Sequence, residues 1–68
     1  MTGMTVIVNG EQRRITERTL EGLLAELGLD PRAVVVELNR QIVRAPALAG
    51  TALKDGDAIE LVHFVGGG

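Results

Sequence analysis

Lys54-Asp55-Gly56-Asp57-Ala58-Ile59-Glu60-Leu61-Val62-His63-Phe64-Val65-Gly66-Gly67-Gly68 closes the chain, and its reading governs the rest. The first four residues have the composition of a tight turn. Ile59 to Val65 reads as a strand that is more apolar than an edge strand usually is, so it belongs in the middle of a sheet. The three glycines follow with no side chain to pack. Glycine loses more backbone freedom on ordering than any other residue, so a terminal run of it is expected to stay flexible until a partner captures it. Lacking Cβ atoms, Gly66 and Gly67 can thread a channel too narrow for other residues, and Gly68 carries an unhindered carboxylate.

Working outward from that strand, the remaining sequence supplies its neighbours. Met4 to Val8 is rich in β-branched residues, and Asn9-Gly10 is a strong hairpin signal that returns the chain over Gln12 to Thr16, with Ile15 facing inward. Thr19 is placed to cap a helix in which Leu20, Leu23, Leu24 and Leu27 recur at i, i+3, i+4 and i+7. Gly28 suits the left-handed position after that helix, Leu29 the apolar contact that follows, and Asp30-Pro31 prevents continuation. In so small a chain this leucine stripe is core rather than a docking helix. Ala33 to Leu38 is a nearly unbroken apolar run, expected to be a strand buried on both faces or nearly so. Asn39-Arg40-Gln41 is a turn, Ile42-Val43 a short returning strand, and residues 44–52 a longer excursion. A hairpin, one crossing helix and three further strands, the last beside the first, make a β-grasp. The expected fold is a mixed four- to five-stranded sheet on one main helix over residues 4–65, with a flexible tail at 66–68 and residues 1–3 a disordered lead.

Bulk composition narrows the function. Sixty-eight residues make one domain near the lower limit for folding on an apolar core alone. The absence of cysteine removes any disulfide framework and any thiol nucleophile and fits a reducing, cytoplasmic setting. A single aromatic residue, Phe64, and a formal charge of −2 argue against nucleic-acid binding. No apolar run approaches the length needed to span a bilayer, and the start lacks a signal-peptide pattern.

Few side chains are left to carry chemistry. His63 is the only imidazole and has no serine, cysteine or second histidine to work with, so a packing or surface role is favoured over proton transfer. Asp55 and Asp57 flank Gly56 as turn formers rather than metal ligands, and no metal site is expected. Alternation along the last strand sets Val62 and Phe64 opposite to Ile59 and Leu61. Either residues 44–52 cover that second face, or Val62, Phe64 and Val65 form an exposed patch where a partner docks; the latter is favoured.

Three segments carry a family resemblance: Val6-Ile7-Val8-Asn9-Gly10, Glu37-Leu38-Asn39-Arg40-Gln41-Ile42-Val43, and Leu53 to Gly68. Together they resemble the ThiS family, the ubiquitin-like sulfur carriers of thiamin biosynthesis. The ending Val62-His63-Phe64-Val65-Gly66-Gly67-Gly68 is the specific piece, and the Asp-Gly-Asp turn is shared more widely. The resemblance implies that the chain is not an enzyme but a protein cosubstrate, monomeric when free and binding no cofactor of its own. A ThiF-like enzyme would use ATP and magnesium to adenylate the Gly68 carboxylate, and a persulfide donor would supply the sulfur of a thiocarboxylate. A ThiG-like thiazole synthase would consume that sulfur. Gly66 and Gly67 would thread the partners' channels. The alternatives are a carrier for molybdopterin or another sulfur-containing metabolite, a ubiquitin-like modifier joined to lysines, and a plain β-grasp binding module.

Overall fold

Asn9 and Gly10 have φ of 49° and 84°, the left-handed pair that a two-residue hairpin turn of the primed type requires. They join strand β1, Met4–Val8, to β2, Glu11–Ile15, with Val8 opposite Glu11 and Met4 opposite Ile15. The returning strand therefore begins one residue earlier than the sequence pattern suggests, because a two-residue loop must close on the Val8–Glu11 pair. These strands belong to a computed structural model that describes residues 3–63.

Helix α1, Leu20–Glu26, follows. The Thr19 hydroxyl accepts from the Gly22 N–H at 3.1 Å, satisfying one of the donors that a helix start leaves unpaired. At the other end Leu29 N–H donates to the Leu24 carbonyl (2.9 Å) and Gly28 N–H to that of Ala25 (3.1 Å), with Gly28 at φ 73°. That is the paired Schellman closure, and it needs the left-handed glycine. Seven residues are too few for a stable isolated helix, so α1 depends on packing. Leu20, Leu23 and Leu24 are fully buried, while Leu27 packs against the core from its margin.

A single 3-10 turn, Pro31–Ala33, leads into β3, Val34–Leu38. Asp30 caps it, accepting from the Arg32 N–H at 2.9 Å and from the Arg32 guanidinium at 3.2–3.3 Å. The guanidinium and backbone bonds from Arg32 hold the Asp30 carboxyl below the usual carboxylate range. Strand β4, Gln41–Val43, returns through Asn39-Arg40, and β5, Ala58–His63, completes the sheet.

The five strands lie in the order β2-β1-β5-β3-β4. β5 is central, parallel to β1 and antiparallel to β3, the β-grasp arrangement expected from the element order. One face of the sheet carries Val6, Val8, Ile15, Val34, Val36, Ile59 and Leu61 against the helix leucines. The excursion after β4 lies on this same side. Leu53 N–H donates to the Arg18 carbonyl (2.8 Å), Leu20 N–H to Thr51 (3.1 Å) and Glu21 N–H to Leu48 (3.2 Å). These bonds seat Leu48 and Leu53 in the core beside the helix start.

Both coverings of the sheet are on one side, which corrects the expectation for β3. Val34 and Val36 are buried, but Val35 and Glu37, on the face opposite α1, are only half-buried. The run of valines predicts a strand but not how many of its faces are covered.

Candidate functional site

Two turns and strand β1 converge on the start of β5. Asp57, 7% exposed, accepts from Lys54 N–H at 2.7 Å through one carboxylate oxygen and from the Asn39 carboxamide at 3.0 Å through the other. Asn39 in turn accepts from Ala58 N–H (3.0 Å), while its own N–H donates to the Ala58 carbonyl (2.8 Å). Asp55 accepts from Thr5 N–H at 2.8 Å, and Gly56 N–H donates to the Thr5 carbonyl at 2.7 Å. Both aspartates are therefore engaged with N–H donors of neighbouring turns and strands, which is turn chemistry. Together they fix where β5 enters the sheet.

The outgoing half of β5 is held differently on its two sides. Against β3 it pairs throughout, from Leu38–Ile59 to Val34–His63. Against β1 it pairs only at Ile7–Ala58 and Val8–Ile59, because the chain turns away at Asn9-Gly10. The Asn9 side chain extends the ladder: its Oδ1 accepts from Leu61 N–H at 2.7 Å and its Nδ2 donates to the Leu61 carbonyl at 3.2 Å. A carboxamide has the donor and acceptor of a peptide group and stands in for the strand residue that β1 lacks. The sequence marks Asn9 and Asn39 as turn residues. Their second use is invisible there, because it depends on which strand the turn abuts.

The uncovered sheet face is where the predicted patch belongs. Val62 is 55% exposed, and its strand partner Val35 lies beside it half-buried. Ile42, 62% exposed, sits across from Glu37 on the edge. Leu48, the apolar anchor of residues 44–52, is in the core on the other side, while at the edge Arg44 and Ala45 line a cavity with Val35 and Ile42. Glu37 and Glu60 lie directly opposite one another in the same face, so the apolar surface is interrupted by acidic side chains at its centre. His63, the strand partner of Val34, is exposed. The expectations for Phe64, Val65, Gly66, Gly67 and Gly68, and for Met1 and Thr2, fall outside the described residues. Of the site residues read from sequence, the structure thus positions Val62 and leads β5 toward the others.

A helix crossing one face of a five-stranded mixed sheet, with the first and last strands parallel at its centre, defines a ubiquitin-like β-grasp domain. The sequence profile of the ThiS family matches residues 6–68, and the chain belongs to that family. It is 44% identical over 50 residues to the sulfur carrier protein ThiS of Bacillus subtilis, covering 74% of this chain and 76% of that one. The ThiS of Thermus thermophilus is 35% identical over 63 residues, 93% of this chain and 98% of its own. A thiazole synthase of Paramagnetospirillum magneticum is 47% identical over 66 residues, 96% of this chain, yet the chain spans only 20% of that synthase's length. Among solved structures, the crystal structure of the thiamine biosynthesis protein ThiS from Geobacter metallireducens superposes with a TM-score of 0.81 at 35% identity, covering 96% of this chain and 100% of that one.

Proposed function

We propose that this chain is a sulfur carrier for thiazole formation in thiamin biosynthesis, with the Gly68 carboxylate as its reacting group. The observation that carries the reading is the family match extending through Gly68 on a fold whose central strand runs toward that residue. A carboxylate is ionised at neutral pH and has no leaving group, so it must be activated before sulfur can replace oxygen. A ThiF-like enzyme, using ATP and magnesium, joins a carboxylate oxygen to the α-phosphorus and releases pyrophosphate. A persulfide's terminal sulfur then attacks the acyl carbon and AMP departs. A thiol reduces the resulting acyl disulfide, leaving the thiocarboxylate on Gly68 and a disulfide on the donor side.

The thiocarboxylate sulfur is a soft nucleophile, delivered to a ThiG-like thiazole synthase. Support for that partner comes from thiazole synthases of Paramagnetospirillum magneticum and Magnetococcus marinus that match this chain over 20% of their length. In this reading the chain is a cosubstrate, holds no cofactor, and works in the cytoplasm, where a cysteine-free protein is at no disadvantage. Gly66 and Gly67 give access to the partners' channels, and Val62, Phe64 and Val65 form the docking patch. No helix among the described residues is long and apolar enough to cross a membrane.

Intact mass after incubation with a cognate activating enzyme, ATP and a sulfur donor tests the proposal. The gain of one sulfur for one oxygen at the C-terminus is expected, and an unchanged mass refutes it. Deletion of the gene should give thiamin auxotrophy with molybdoenzymes retained.

A further inference from the structure

We infer that Asn9 is a positioning residue: its carboxamide fixes the outgoing end of β5 and so the direction in which the C-terminal residues are presented to the activating enzyme. This rests on the sulfur-carrier reading and goes beyond it, since it assigns a role to a residue remote in sequence from the reacting end.

The geometry separates Asn9 from an ordinary turn former. A left-handed Asn-Gly turn needs nothing from the asparagine side chain beyond tolerance of φ 49°. Here that side chain makes both hydrogen bonds that a continuing neighbour strand would make to Leu61, at 2.7 Å and 3.2 Å, and the Asn9 N–H adds a third bond to the Ile59 carbonyl at 2.9 Å. Leu61 is itself 8% exposed, so its backbone groups have little access to water and leaving them unpaired is costly. β1 cannot satisfy them, having ended at Val8. Without the carboxamide, the described part of β5 beyond Ile59 would be held by β3 alone, as an edge strand is.

The molecule contains its own control. Asn39 is also the first residue of a two-residue turn, also left-handed at φ 51°, and also bonds β5 through its side chain, at Ala58. It acts at the incoming end of β5, away from the tail. The two asparagines thus both accept from a β5 amide, but the Asn39 Nδ2 donates to the Asp57 carboxylate where that of Asn9 donates to the β5 backbone, and they act at opposite ends of the strand.

Replacing each by glycine keeps the left-handed backbone free of strain and removes the carboxamide, with a freer unfolded chain common to both variants. In Asn9→Gly, hydrogen exchange at the Leu61 amide should speed by about tenfold, while Leu23 and Leu53 amides exchange as before. A tail held in the productive direction only part of the time lowers apparent affinity by that fraction. The KM of the carrier in ATP-dependent pyrophosphate release by the activating enzyme should therefore rise by about tenfold with kcat unchanged. Asn9→Asp, which keeps the acceptor for Leu61 N–H, should fall between. Asn39→Gly should speed exchange at Ala58 and leave KM alone. Active wild type with an unchanged KM in Asn9→Gly, or an equal rise in both glycine variants, overturns the positioning role. A wild-type chain that is never adenylated overturns the sulfur-carrier reading instead, and Leu61 exchange then judges the clamp separately.

Discussion

The carboxamide of Asn39 donates to the buried carboxylate of Asp57 at 3.0 Å, tying the β3–β4 turn to the turn that feeds β5. The other Asp57 oxygen accepts from Lys54 N–H at 2.7 Å, so one carboxylate closes its own turn and couples it to another 18 residues away in sequence. Asp57→Ala would leave the Lys54 N–H and the Asn39 carboxamide without these bonds, and we expect it to cost about 1–3 kcal/mol. Urea unfolding checks this: the midpoint should fall with an unaltered m-value, and an unshifted midpoint would show that water replaces the carboxylate.

Arg40 offers the opposite case. It occupies the second position of the β3–β4 turn at φ 73°, where a Cβ is strained and the equivalent residue of the β1–β2 turn is Gly10. Arg40 is exposed. Arg40→Gly should raise stability by about 0.5–1 kcal/mol net, the relief of left-handed strain being partly offset by the freer unfolded chain. Thermal melting is the measurement, and a lowered midpoint would mean that the arginine side chain contributes more than its backbone costs.

These two residues mark what the sequence could and could not disclose. Local chemistry was legible: the Thr19 cap, the Leu20–Leu23–Leu24 stripe, the left-handed Gly28 and the Asn9-Gly10 turn each follow from residue types a few positions apart. Placement of β5 at the sheet centre was legible too, from its apolar content. Leu48 and Leu53 were not identified as core residues, because residues 44–52 have no helical or strand period; backbone bonds to residues 18–21 set their depth. The same distance in sequence hid the carboxamide clamps. Burial of β3 was overestimated, since a valine run cannot report that helix and loop share one side of the sheet. Of the proposed site, Val62 lies within the described residues.

Acid should act on the cap at Asp30. Its carboxyl is held below the ordinary range by Arg32, so folding favours the ionised form. A depressed value gives stability that is fully present above the unfolded pKa of about 3.9 and is lost as pH falls through the folded value. The Arg32 guanidinium stays protonated throughout. An NMR titration should therefore show the Asp30 carboxyl and the Arg32 amide shifting together only below about pH 4, with no change between pH 5 and 8. Because both side chains are substantially exposed, added salt should weaken the effect.

The open sheet face separates folding from recognition. Val62 is more than half exposed and pairs with Val35 on the face opposite α1, so a polar residue there loses little burial. Val62→Glu should leave the melting temperature within the range of ordinary surface changes, about 0.5 kcal/mol. It would add a third carboxylate to a face already holding Glu37 and Glu60 and remove an apolar contact next to the exit of β5. If this face docks the activating enzyme, adenylation should slow by at least about tenfold through KM, the loss expected when a central interface contact is removed. Ile42→Glu on the outer edge strand, equally exposed but two strands away from β5, should have the smaller effect. Folded variants with equal and normal turnover would place docking elsewhere; a gradient from Val62 to Ile42 would put its centre on β5, beside the end of the chain proposed to react.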